Sequence, residues 1–184
     1  IGGVYHAYEG EIIYSLITSQ DNPKIPRDII ESYELICNGI VHGLELLGVE
    51  AHFKPINDIE VDGRKISGNA QTRRWGRVLQ HGTILVDADV RTMFTVLKVS
   101  KEKISDKMIK SAEERVTTIR RELGREVEFE EVAEALKRGF MEVLGVNLVE
   151  GRLSGGERAL ATKLRKSKYS TERWVFDRPK GFTL

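Results

Sequence analysis

Residues 62–70 read Asp62-Gly63-Arg64-Lys65-Ile66-Ser67-Gly68-Asn69-Ala70, and they follow Asn57-Asp58-Ile59-Glu60-Val61. Asp-Gly between two such runs is a strong hairpin signal, because a two-residue turn of this kind needs residues that tolerate positive φ. If the loop is only Asp62 and Gly63, Glu60 pairs with Lys65 and Asp58 with Ser67. Alternation then places Asp58, Glu60, Lys65, Ser67 and Asn69 on one face, and Ile59, Ile66, Gly68 and Ala70 on the other. A longer loop would shift this register. The reading puts Lys65 on a strand beside small and polar neighbours. A positive charge held at such a close-approach surface suits an anionic ligand, such as a phosphate or an acyl phosphate. From spacing alone, a solvated pair between Lys65 and Glu60 is the commoner outcome.

Outward from the hairpin, Val78 to Val86 reads as another strand and carries Gln80-His81-Gly82-Thr83. Upstream, Ile12, Ile13, Tyr14, Leu16 and Ile17 form an apolar strand-like run, and Asp21 to Pro26 is a loop. From Asp28 to Leu47 apolar residues recur at helical spacing, with Gly48 placed as a C-terminal cap. Val90–Leu97 reads as a short helix, Phe129–Leu144 as an amphipathic helix, Val146–Val149 as a strand and Glu157–Arg165 as a last helix. Hairpins interspersed with helices predict an α+β fold rather than a regular βαβ series.

The 184 residues predict one domain over 1–184, and 40% hydrophobic content is enough for a core. Net charge is +1, from 29 basic and 28 acidic residues, which argues against a dedicated nucleic-acid binder. The single cysteine, Cys37, excludes an intrachain disulfide framework and a cysteine zinc site, and a cytoplasmic location is expected. No run of about 18 apolar residues marks a membrane span. The start at Ile1-Gly2-Gly3, without Met, suggests a sequence that begins partway into a longer protein. His6, His42, His52 and His81 show no metal-ligand spacing, and His42 reads as a structural helix residue.

Several motifs in order resemble the lipoate–protein ligase A family, within the biotin/lipoate A/B ligase superfamily. Asn57-Asp58-Ile59, Gly63 to Gln71 and His81-Gly82-Thr83 look like its two central motifs. Gly2-Gly3-Val4-Tyr5-His6 looks like the end of its glycine loop, Tyr14-Ser15 like the pair that follows, and Lys168 to Trp174 like the segment closing the catalytic domain. The resemblance implies a biotin/lipoate ligase-like fold, with a mixed curved sheet flanked by helices. It implies an ATP-dependent ligase that forms lipoyl-AMP from lipoate and ATP with Mg²⁺. The lipoyl group then passes to a lysine of a carrier domain, such as an E2 subunit or the glycine cleavage H protein. Lys65 inherits the catalytic role. Gly2, Gly3 and His6 are carried over as ligand-loop residues, and Asn57 and Asp58 lie near the nucleotide phosphates, with Asp58 at the metal. Ser67, Gly68, Ala70, His81 and Gly82 are expected to line the pocket.

The chain departs from that pattern in places. The paired arginines expected before the glycine loop are absent, so the N-terminal part of the family domain is expected to be missing. Ala7 follows the loop histidine where Asp is usual, and Ile13 stands where Asn often precedes Tyr14. A further small domain, which many members carry and some hold on a separate polypeptide, is expected to be needed for full activity. The first rival is an octanoyltransferase that moves an acyl group from a carrier thioester without ATP. Some relatives of that kind place a cysteine nucleophile just before the lysine motif, but Gly48 to Glu60 contains none. The second rival is a non-catalytic subunit that needs a partner chain. Leu153-Ser154-Gly155-Gly156-Glu157 also matches the signature loop of ABC-type ATPases, and Trp174 to Asp177 resembles a Walker B strand. With no Gly-x₄-Gly-Lys phosphate loop in the chain, that stretch reads as a capping box on a helix, with Ser154 as N-cap.

Overall fold

The computed structural model describes residues 10–96 and 114–176. Gly2, Gly3, His6 and Ala7 lie outside the described residues, as does Asp177. The chain gathers into two compact units, Ile1–Leu148 and Val149–Leu184.

The Asp62–Gly63 turn forms as its residues dictate. Both adopt positive φ, 49° and 75°, and the strands on either side pair antiparallel. These strands are β3, Asp58–Val61, and β4, Arg64–Arg74. With β1 (Glu11–Ser19), β2 (His52–Lys54) and β5 (Arg77–Leu85) they build one sheet in the order β1-β5-β4-β3-β2. Every strand pair is antiparallel. The mixed character expected of the sheet is confined, among the described residues, to a parallel bridge between Lys65 and Val116.

The register departs from simple alternation at one point. Glu60 pairs with Lys65 as expected, but Ile59 pairs with Ser67 and Asp58 with Gly68. Ile66 is the extra residue of a β-bulge, and the parity of β4 flips beyond it. Ile66 and Ser67 are therefore both buried. Asn69 turns toward the core with Ser67, while Gly68 and Ala70 turn to the face of Lys65. The face assignment read from the sequence is corrected for these four residues.

Helix α1, Ile29–Leu46, covers one face of the sheet. Asp28 caps it by accepting hydrogen bonds from the backbone N–H groups of Ile30 and Glu31, at 2.8 and 3.0 Å. Gly48, at φ 90°, follows its last turn. Its buried stripe of Tyr33, Cys37, Ile40 and Leu44 packs on Ile59, Ile66 and Ile84 of the sheet. Helix α2, Val90–Val96, follows β5, and α3, Ile119–Leu123, starts at the Thr118 cap. Helix α4, Phe129–Leu144, lies against α1 and contributes Val132 and Leu136 to the same core. The two backbones approach closely at glycines. A Cβ on Gly139 would collide with the carbonyl oxygen of Gly39 and lie 2.5 Å from the nitrogen of Gly43.

The expected strand at Val146–Val149 is irregular chain after Gly145, which ends α4 in the left-handed conformation. In the second unit, Gly155–Leu164 forms α5, a π-helical turn spans Arg165–Tyr169, and Glu172–Val175 forms α6. Ser154 caps α5 in a complete capping box with Glu157, so the ATPase-like stretch is a helix start. Trp174 and Val175 are helical, not part of a strand.

Candidate active site

Lys65 stands three residues after the Asp62 corner, where the 115–117 segment pairs with β4. Its backbone N–H donates to Arg115 O at 2.8 Å, and its carbonyl accepts from Thr117 N at 2.9 Å. On its side-chain face the ammonium lies 2.6 Å from Asp58 Oδ1. The chain beneath it is Gly68. A Cβ there would sit 2.9 Å from both Cε and Nζ of Lys65. A larger residue at this position would push the end of the lysine side chain aside, so Gly68 leaves room for the ammonium where it now lies. The Lys65 side chain is 41% exposed, so a ligand can reach its ammonium from solvent, while the Asp58 Oδ1 that meets it is buried.

The same open face continues across the sheet. Gly68 pairs with Thr83, which pairs with Ile13, and Ala70 pairs with His81, which pairs with Ser15. Ala70 and His81 are exposed, and so are Ile13 and Ile17 on the edge strand, at 50% and 68%. Two strand spacings separate Gly68 from Ile13, about 10 Å. The surface thus runs from one cation, past small residues, to an apolar rim.

The structure therefore brings together Lys65, Asp58, Gly68, Ala70 and His81. It sends Ser67 and Gly82 to the opposite, core-facing side. Ser67 is buried beside Asn69, whose amide lies 3.4 Å from its Oγ. A Cβ on Gly82 would collide with Asn69 Oδ1 and lie 2.8 Å from the Tyr14 ring. Asn57 is at neither place; its amide donates to Asn69 O at 2.6 Å and ties the chain before Asp58 to β4. The sequence reading missed Tyr14 and Gln80 as polar groups of the core side. The signal available was Gln80 at an inward position of β5, between the apolar Val78 and Ile84.

Cys37 is fully buried on α1, and burial pushes its thiol up to about 12, with the Gln80 hydrogen bond opposing and the Asp58 charge adding slightly. Such a thiol is neutral and unreactive. The described residues do not assemble a magnesium site. Asp58 faces Lys65, Glu60 is paired with Lys54 at 2.7 Å, and no group of three potential ligands occurs among them.

The lipoyl protein ligase A/B catalytic domain family matches residues 2–141. The octanoyltransferase LipM of Brevibacillus brevis is 33% identical over 94% of this chain and 71% of its own length. That of Kyrpidia tusciae is 35% identical over 95% and 72%. Among solved structures, the bipartite lipoate protein ligase of Thermoplasma acidophilum, described with its E2 lipoyl domain, superposes with a TM-score of 0.82. It is 33% identical, over 95% of this chain and 68% of that one. A lipoate–protein ligase A bound with ATP gives 0.76 at 31% identity, over 90% and 64%. The expectation of ATP-dependent lipoate ligation is overturned by the octanoyltransferase relatives, which match nearly the whole chain and whose name denotes acyl transfer rather than ligation. The fold expected from the motifs stands, and the chain belongs to the lipoyl protein ligase A/B catalytic domain family.

Proposed function

We propose that this site transfers an octanoyl or lipoyl group from a carrier thioester to the lysine of an acceptor domain of the lipoyl-domain type, without ATP. The observation that carries this reading is the Lys65 ammonium held over Gly68, at the head of an open face that ends in Ile13 and Ile17. An acyl carbonyl fits beside the ammonium, and its alkyl chain fits along the small residues toward the apolar rim. The octanoyltransferase names of the relatives support the reaction class. The E2 lipoyl domain of the Thermoplasma system supports the acceptor class.

The chemistry follows from these groups. The free amine of the acceptor lysine attacks the thioester carbonyl and forms a C–N bond. The carbonyl oxygen becomes an oxyanion, and the Lys65 ammonium offsets that charge in the transition state. The C–S bond then breaks, and the departing thiolate takes up the proton shed by the amine. The products are an amide and a free thiol. Transfer is direct, because Cys37 is buried and neutral and Gly48 to Glu60 holds no cysteine. The experiment is to incubate the protein with an octanoyl-carrier thioester and an unmodified lipoyl domain, without nucleotide, and to weigh the domain by mass spectrometry. Octanoylation of the domain is expected. Modification only when ATP and free acid are supplied overturns the reading.

A further inference from the structure

Behind the sheet runs an unbroken chain of buried and partly buried hydrogen bonds that the transfer chemistry does not use directly. Arg73 Nε donates to Gln71 Oε1 at 3.1 Å, and Gln71 Nε2 donates to Gln80 Oε1 at 2.9 Å. Gln80 Nε2 donates to the Tyr14 hydroxyl at 3.0 Å, and that hydroxyl donates to Asn69 Oδ1 at 2.7 Å. Asn69 Nδ2 then donates to Asn57 O at 3.0 Å. Every amide uses its donor and acceptor side consistently, so the relay has one orientation. Burial holds the Tyr14 hydroxyl well above its ordinary range, which keeps it neutral and donating.

The relay ends at the residue that sets Asp58. Asn57 O also accepts from the backbone N–H of Asn69 at 2.9 Å, and Asn57 Nδ2 returns a bond to Asn69 O. Three hydrogen bonds thus clamp residue 57 to residue 69. The next residue in the chain, Asp58, meets Lys65 Nζ at 2.6 Å. We propose that Asn69 is a positioning residue: backed by Tyr14, Gln80 and Gln71, it fixes the Asn57–Asp58 step and, through Asp58, holds the Lys65 ammonium over Gly68. The importance of that placement for turnover rests on the transferase reading; the placement itself does not.

The test labels amines of the full chain with an acylating reagent and reads Lys65 by peptide mass spectrometry, with Lys137 as internal reference. Asn69→Ala is expected to raise Lys65 labelling about threefold or more, since breaking a charge-assisted contact frees the amine. Asp58→Asn is expected to raise it as much. The double variant is expected to add nothing further, because both act on one contact. Tyr14→Phe is expected to shift labelling in the same direction by less, and it carries the test if Asn69→Ala does not fold. Unchanged Lys65 labelling in a folded Asn69→Ala or Tyr14→Phe protein overturns the proposal, as does full additivity in the double variant. Transfer assays run alongside keep the two readings apart. A wild type that transfers nothing refutes the function but leaves the labelling result in force. Where wild type transfers, Asn69→Ala is expected to lower kcat with KM little changed.

Discussion

In the proposed transfer the chemistry depends on Lys65, and the geometry of that residue says how its loss is felt. The ammonium is preorganised by Asp58 and by the missing Cβ of Gly68. Lys65→Ala is expected to lower acyl transfer by roughly a hundredfold or more, as for the loss of one preorganised electrostatic donor. Lys65→Arg rescues poorly, because a planar fork does not fit the place of a compact charge above Gly68. Rates with the thioester donor, beside circular dichroism, check both; near wild-type transfer by Lys65→Ala contradicts the assignment. Cys37→Ala provides the contrast. Its buried neutral thiol leaves no acyl-enzyme, so transfer is expected to stay within a few-fold of wild type, roughly the range of a packing change. A tenfold loss in a folded variant points to a covalent intermediate instead.

At the scale of elements, the hairpin and the helix pair make different demands. The Asp62–Gly63 turn, Asp28 cap and Gly48 ending were legible because each rests on a local rule of backbone conformation. The face pattern of β4 was not, because a bulge at Ile66 depends on how two strands pair and leaves no mark in one strand's alternation. Gly82 shows the consequence. It reads as a pocket glycine, yet it makes room on the core side for Asn69 and Tyr14. The close crossing of α1 and α4 was likewise invisible to a search for apolar periodicity, since its determinants are Gly39, Gly43 and Gly139. Gly139→Ala drives a methyl into the α1 backbone, which cannot shift as a flexible side chain can. A loss of about 1–3 kcal/mol or more is expected, typical of overpacking. Urea unfolding midpoints check it, and an unchanged midpoint means that the crossing is looser than described.

For the whole molecule, family and fold were legible because several motifs occur in order along the chain, while the reaction was not. Residues that offer positive charge to an acyl group serve adenylation and thioester transfer alike, so the motifs could not separate the two. A group that plain sequence reading left as structural makes the stability of the fold depend weakly on pH. His42 of α1 reaches Glu142 of α4 at 2.6 Å and Glu45 of its own helix at 3.1 Å. The hydrogen bond to Glu142, then that to Glu45, raises His42 above its ordinary value of 6.5. The same contact with His42 lowers Glu142 below 4.5. A raised histidine stabilises the fold fully below its unfolded value, and that gain is lost as pH rises through the folded one. A lowered carboxylate stabilises above its unfolded value, and that gain is lost as pH falls through the folded one. Both contributions are present together between about pH 5 and 6. His42→Gln is therefore expected to lower Tm relative to wild type at about pH 5.5, with the difference shrinking by about pH 9, where the wild-type imidazole is neutral. Both side chains are partly exposed, at 32% and 49%, so the effect is small and weakens further in high salt. Thermal scans of the two proteins at both pH values check the sign, and a Tm difference that grows toward alkaline pH contradicts the bridge between α1 and α4.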